Sequence, residues 1–203
     1  MRRRFSAKAR RPARRIAGVA CGVLLALGLL VAGIAAADEA DTRAKSQALF
    51  LQMASVFASP RCMNCHPRTA FPTQGDDRHR HTMNVARGPD NHGAPGLHCG
   101  TCHQATNQAA SGVPGAPDWQ LAPLRMAWDG LTAGELCRAL LDPARGGMKP
   151  DQFVDHFNTV FVRWAWAPGT DAHGTPRTVP PIPHDQFIAL TQQWVATGAA
   201  CPK

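Results

Sequence analysis

Tyrosine is absent from the 203 residues, and aromatic residues make up only 6 %, while glycine and proline number 18 and 17. So few large apolar side chains predict a thin core for this length, one that has difficulty offsetting the entropy of ordering the chain. Other absences narrow the chemistry. No glycine-rich loop of the phosphate-cradling kind occurs. No Ser/His/Asp set and no pair of carboxylates stands out for nucleophilic or acid–base catalysis. The period-two alternation of a half-buried strand is missing as well.

Acidic residues are missing from one stretch in particular. Met1 to Arg15 holds Arg2, Arg3, Arg4, Lys8, Arg10, Arg11, Arg14 and Arg15 and no acid, and Ile16 to Ala37 is then uncharged and apolar. That run ends in Ala35-Ala36-Ala37 before Asp38-Glu39, the small-residue signature of a cleaved secretory leader. Residues 1–37 are therefore expected to be a signal peptide and residues 38–203 a single exported domain. The apolar run also reaches the roughly 20 residues that span a bilayer, so an uncleaved anchor is the alternative. The formal charge of +8 resides in the leader, and beyond it basic residues equal the 14 acids. No Lys/Arg cluster remains there to grip phosphates, which excludes nucleic acid as a partner.

What the exported part does contain is the pentad Cys-X-X-Cys-His, twice: Cys62-Met63-Asn64-Cys65-His66 and Cys99-Gly100-Thr101-Cys102-His103. This is the attachment pattern of c-type haem. Two thiols add across the two vinyl groups of one porphyrin, and the two intervening residues let both sulfurs reach the same edge. The histidine that follows falls under the ring as proximal iron ligand. The expectation is two covalent haems, on Cys62, Cys65 and His66 and on Cys99, Cys102 and His103. A zinc site built from the four cysteines is the alternative, but it has no use for a histidine after each pair. The haems would also supply apolar surface that the side chains lack, and Arg78, Arg80 and Arg87 would face their propionates.

Two cysteines are left over, Cys137 and Cys201, and in an oxidising compartment an even remainder predicts a disulfide. The fold class expected is mainly α, loop-rich, with about four short helices and no significant sheet. The first runs from Asp41 to Ser59, with Leu49, Phe50, Met53, Val56 and Phe57 on one stripe and Pro60 as its stop. Thr132 and Glu135 form a capping box that opens the second. The third spans Asp151 to Trp164. The fourth spans Asp185 to Thr197 and ends at Gly198. Residues 67–131 carry the turn punctuation of a long irregular segment.

The sixth ligand of each iron decides between carriage and catalysis. Candidates are His81 and His156 first, then His79 and Met83. His156 lies between Phe153 and Phe157 and reads as buried, whereas His173 and His184 sit among Gly and Pro and read as solvated. Two ligands per iron favour electron transfer; one five-coordinate iron would instead permit turnover of peroxide or of a small sulfur or nitrogen species.

Several ungapped blocks carry a family resemblance. They are Ser59 to Pro67, Gly75-Asp76-Asp77, His81 to Asp90, Cys99 to Gln104, Pro114 to Trp119 and Trp166 to Gly169. Together they resemble the bacterial proteins named as isoquinoline 1-oxidoreductase subunits, over roughly residues 50–202. The resemblance implies a small secreted dihaem cytochrome associated with a molybdenum hydroxylase that oxidises N-heterocycles or aldehydes. Its electrons would pass to a further cytochrome or a terminal oxidase. His79, His81, Met83, Cys137 and His156 fall in stretches that match, while Gln120 stands where relatives are expected to have His. The chain cannot itself be the hydroxylase, because no iron–sulfur set of cysteines remains once the pentads are assigned.

Overall fold

The computed structural model describes the backbone from Ile16 and the side chains from Ala36 to Lys203. The leader expected at residues 1–37 lies almost entirely outside the described side chains, and so do its cleavage and its use as an anchor. Among the described residues, no helix is long and apolar enough to cross a membrane. Arg43–Lys203 forms one compact unit, which holds the core and both pentads described below.

The architecture is mainly α. The helices are α1 (Ile16–Phe57), α2 (Pro60–Met63), α3 (Ala133–Leu141), α4 (Phe153–Phe157), α5 (Val160–Arg163) and α6 (His184–Ala196). Two antiparallel ladders, two residues per strand, complete it: β1 (Thr73–Gln74) with β2 (His79–Arg80), and β3 (Gly93–Ala94) with β4 (Leu97–His98).

The stripe on α1 is buried as its spacing requires, with Phe50 and Met53 fully enclosed. It packs with Leu136 and Leu140 of α3, Phe153 and Phe157 of α4, and Phe187, Leu190 and Trp194 of α6. The core is less thin than the composition suggests, because the few aromatic residues are concentrated in it. Phe57 alone touches Phe50, Trp128, Phe157 and Phe187 at centroid distances of 5.4–6.0 Å. Contacts of this kind add to the area each ring buries.

The helix ends follow local chemistry. Thr132 and Glu135 form the expected capping box on α3. Ser59 caps α2 by accepting from the Arg61 amide, so Pro60 does more than stop α1: it is the first residue of the next helix. The third expected helix is two. Asn158 ends α4, and the Thr159 hydroxyl accepts from the Val162 amide to start α5. A side chain that caps locally competes with the continuing ladder, and here it wins. Gly198, at φ +91°, follows the last helix in the left-handed conformation expected of a terminator.

Cys137 and Cys201 are disulfide-bonded, with their Cα atoms 5.5 Å apart, which ties the C-terminal segment to α3. That segment is held again by the Gln47 amide donating to the Cys201 carbonyl and by the Ala200 amide donating to the Ser46 hydroxyl.

The irregular segment between the pentads is organised by one buried arginine. Arg87 donates to the carbonyls of Pro67, Thr69 and Ala122 and to the Asn91 side chain. It thereby joins the chain just after the first pentad to the chain just before the second. Its guanidinium is directed at protein acceptors, so the expected propionate role does not apply to it. Arg78 likewise pairs with Asp129, and Arg80 lies 4.4 Å over the Phe71 ring.

Candidate functional site

Each pentad is a tight helical turn. In the first, the Cys65 amide donates to the Cys62 carbonyl and the His66 amide to the Met63 carbonyl. In the second, the amides of Cys102 and His103 both donate to the Cys99 carbonyl. Residues three and four apart share one face of such a turn, so both thiols and the histidine emerge together. The first turn is braced by Asn64, whose side chain donates to the Gly75 carbonyl and accepts from the Thr73 hydroxyl, and by the Arg61–Asp76 ion pair.

The two histidines are held alike. His66 Nδ1 lies 2.8 Å from the Met126 carbonyl oxygen, and His103 Nδ1 lies 2.7 Å from that of Pro114. A carbonyl only accepts, so Nδ1 carries the proton and Nε2 keeps a bare lone pair for a metal. Each ring also lies flat on a tryptophan. His66 stacks on Trp128 with centroids 3.4 Å apart and planes 12° from parallel; His103 stacks on Trp119 at 4.4 Å and 3°. Sequence reasoning assigned neither carbonyl and gave these tryptophans no site role.

The supports differ in kind. Trp128 belongs to the aromatic core, and its amide donates to the His66 carbonyl. Trp119 instead meets Phe161 and Trp164 edge-on at 5.7 and 4.7 Å. The Trp164 indole N–H donates to the Asn107 side-chain oxygen, which also accepts from the Gly115 amide. Gly115 is required here: a Cβ would run into the carbonyl oxygens of Gln104 and Thr106, just past the second pentad. The missing side chain is what lets the Pro114 carbonyl reach His103.

Burial sets the electrostatics. It pushes the Cys62 thiol up to about 12 and the Cys65 thiol up to about 11. Arg61 pulls against that shift at Cys65 while Cys99 adds to it, which puts the two pentads within electrostatic reach of each other. Burial also drives His66 down to about 4 and lowers His103. After burial and the carbonyl bonds, the largest effect of a neighbouring group on His66 comes from His156, and on His103 from His81.

Of the expected partners, His81 lies beside the second pentad. The His81 ring stands 6.0 Å from the His103 ring, centroid to centroid, at 72°. Its Nδ1 is 2.8 Å from the Thr82 carbonyl oxygen, which leaves its Nε2 bare too. His156 acts on His66 from α4, where it is exposed by surface area rather than enclosed as expected, with Phe157 at 5.6 Å; crowding by protein still lowers its pKa. His79 is exposed and bonded to Asp77 through Nδ1 at 2.6 Å. Met83 is 73 % exposed on a turn with φ +61°. Among the described residues it is His81, not His79 or Met83, whose contacts reach a pentad histidine. His184 is not solvated: its Nε2 is 3.0 Å from the Phe157 carbonyl oxygen.

A cavity of about 460 Å³ borders the second site, lined by His92, His98, His103, Gln104 and Trp119 among others. Neither thiol nor His81 is in its wall, so it is distinct from the space between the two facing rings. Among the described residues, no three His, Cys, Asp or Glu side chains converge as a bare metal ion would require. The donor set does fit a covalent porphyrin at each pentad: two thiols one turn apart, and a histidine whose tautomer is fixed by a carbonyl.

No family model matches the chain, and neither does any curated protein or solved structure.

Proposed function

We propose that the chain is an exported, periplasmic electron-transfer protein carrying two c-type haems. Cys62, Cys65 and His66 would hold one and Cys99, Cys102 and His103 the other. The observation that carries this reading is the matched construction of the two pentads. Each ends in a histidine with Nδ1 on a carbonyl and a tryptophan flat against its ring, and at the second pentad His81 stands 6.0 Å from that ring. When bound, the haems supply one-electron redox chemistry. The chain's own residues do the rest. The carbonyls of Met126 and Pro114 fix the imidazole tautomers and raise their basicity. Trp128 of the core covers one face of the His66 ring, and Arg87 ties the chain after the first pentad to Asn91 and Ala122 on either side of the second.

The partners proposed are an electron donor of the molybdenum-hydroxylase class and, downstream, a cytochrome or oxidase. That assignment rests on the resemblance of the motif blocks to isoquinoline 1-oxidoreductase subunits. An enzymatic reading is favoured by one observation at the first pentad: among the described residues, no hydrogen bond anchors the His156 ring, so the sixth position there is the less secured of the two.

The test is the absorption spectrum of protein exported together with haem-maturation machinery, as ferric, dithionite-reduced and CO-treated samples, with a pyridine haemochrome count. Two covalent low-spin haems without a CO shift support the carrier. A high-spin band and a CO adduct at one haem turn the assignment to the enzyme, and a colourless protein refutes both.

A further inference from the structure

At the second pentad, the spacing and the angle of the two neighbouring imidazoles carry information of their own. A metal–imidazole bond of about 2 Å on either side, with about 1 Å more to each ring centre, spaces two rings on one metal by about 6 Å. The His81 and His103 rings are 6.0 Å apart, and their planes cross at 72°. Both orientations are pinned. His81 is tied through Nδ1 to the Thr82 carbonyl, and His103 to that of Pro114. A hydrogen bond at Nδ1, which lies off the metal–nitrogen axis, already resists a twist about that axis, and a flat neighbour resists it further. Trp119 is that neighbour, 3° from parallel with His103.

Trp119 is itself wedged. Phe161 and Trp164 meet it edge-on, Asn107 holds the Trp164 indole, and Asp118 turns the backbone into it at φ +59°. That conformation is uncommon outside glycine, and aspartate is among the residues that adopt it most readily.

We infer that Trp119 is a positioning residue that locks the His103 ring across the His81 ring, so that the iron held at the second pentad has crossed axial imidazole planes. This inference rests on the dihaem carrier reading above. It adds a property that ligand identity alone does not fix. Parallel rings both act on the same iron π orbital and split it from its partner. Crossed rings act on one orbital each and leave the pair nearly degenerate. A low-spin ferric iron with a nearly degenerate pair keeps orbital angular momentum, so its electron paramagnetic resonance is strongly anisotropic. It shows one low-field line in place of a three-line rhombic pattern.

The experiment is frozen-solution paramagnetic resonance of the ferric dihaem protein, beside Trp119→Phe, Trp119→Ala and His81→Ala. A haemochrome count and far-UV circular dichroism are taken on each. The low-field line is expected in the wild type and in Trp119→Phe, which keeps a flat ring. It is expected to give way to a rhombic or spread signal in Trp119→Ala, with both haems retained, and to vanish into a high-spin signal in His81→Ala, which assigns it to the second haem. Rhombic signals alone from two low-spin haems overturn the crossed arrangement and leave the carrier reading standing. A line unchanged in Trp119→Ala overturns the role of Trp119, and a line unchanged in His81→Ala overturns the assignment to this pair. A high-spin second haem in the wild type overturns both the pairing and the six-coordinate carrier. Should Trp119→Ala lose its haem, the wild-type spectrum still decides the crossed arrangement, and Trp119→Leu, which fills the space without a flat ring, decides the role of Trp119: a line unchanged there overturns it.

Discussion

The disulfide offers the most quantitative test of how the domain is held together. Cys137 and Cys201 are 64 residues apart in sequence, and Cys137 is fully buried in α3. Closing a loop of that length removes enough freedom from the unfolded chain to stabilise the fold by about 4 kcal/mol. The native geometry does not depend on the bond alone. Residues 200–202 are also held by Gln47, Ser46, Trp194 and Arg138. The double variant Cys137→Ala/Cys201→Ala should therefore fold to the same structure and lose stability mainly through a freer unfolded state. With a urea slope of about 2 kcal/mol per molar, the midpoint should fall by about 2 M. The assay is urea unfolding of the ferric protein, read by tryptophan fluorescence and circular dichroism. Substitution is preferred to a thiol reductant, which would also reduce the irons. A loss below about 1 kcal/mol would refute the loop-entropy account.

Four further outcomes are expected. Gly115→Ala should push the Pro114 carbonyl off His103 and raise the reduction potential of the second haem alone, because the proximal imidazole loses the bond that makes it a stronger donor; a redox titration resolving two midpoints reads this. Arg87→Gln strands several buried carbonyls and should cost about 3 kcal/mol of unfolding free energy in the same urea assay. Thr132→Ala removes the α3 cap and should cost about 1 kcal/mol. The hydrogen bonds from Thr132 also hold the Glu135 carboxyl below its ordinary 4.5, so its contribution is complete above that value and lost as the pH falls through the lowered one; in Glu135→Gln the acid limb of the stability profile should flatten.

The elements legible in the sequence were those written in side-chain type at short range. The α1 stripe, the Thr132–Glu135 box, the glycine stop after α6 and the even pair of spare cysteines each rest on residues that act by their own chemistry, and each is found in the fold. The break between α4 and α5 was missed because Phe153, Phe157 and Phe161 keep a helical period across it, while one hydroxyl at Thr159 overrules that period. The ladders β1–β2 and β3–β4 are two residues long, too short to leave an alternation. At the candidate site the pentads, and His81 beside the second of them, are visible as residue types. The groups that orient them are not. Met126 and Pro114 contribute backbone oxygens, which every residue has. They lie 60 and 11 positions from the histidines they serve. Arg87 was read as a ligand for propionates because its charge is visible in the sequence, whereas the carbonyls that surround it are not.

The two pentads share their Cys and His positions and the way their histidines are bonded, yet they hang on different parts of the molecule. Trp128 and Met126, which brace His66, are members of the same buried cluster as α1, α3, α4 and α6. Phe57 touches Trp128 directly, so the wall behind the first histidine is the wall of the core. His103 is braced by Trp119, Phe161, Trp164 and Asn107, which lie outside that cluster and are joined by edge contacts and single hydrogen bonds. Core packing is dense and transmits strain, whereas a loop scaffold absorbs it locally. A change in the helical core must therefore reach His66 through Trp128 before it reaches His103. A change at Gly115 or Asn107 stays with His103. The two Cys-X-X-Cys-His turns thus acquire separate environments, and two haems held there as proposed would differ in potential for that reason.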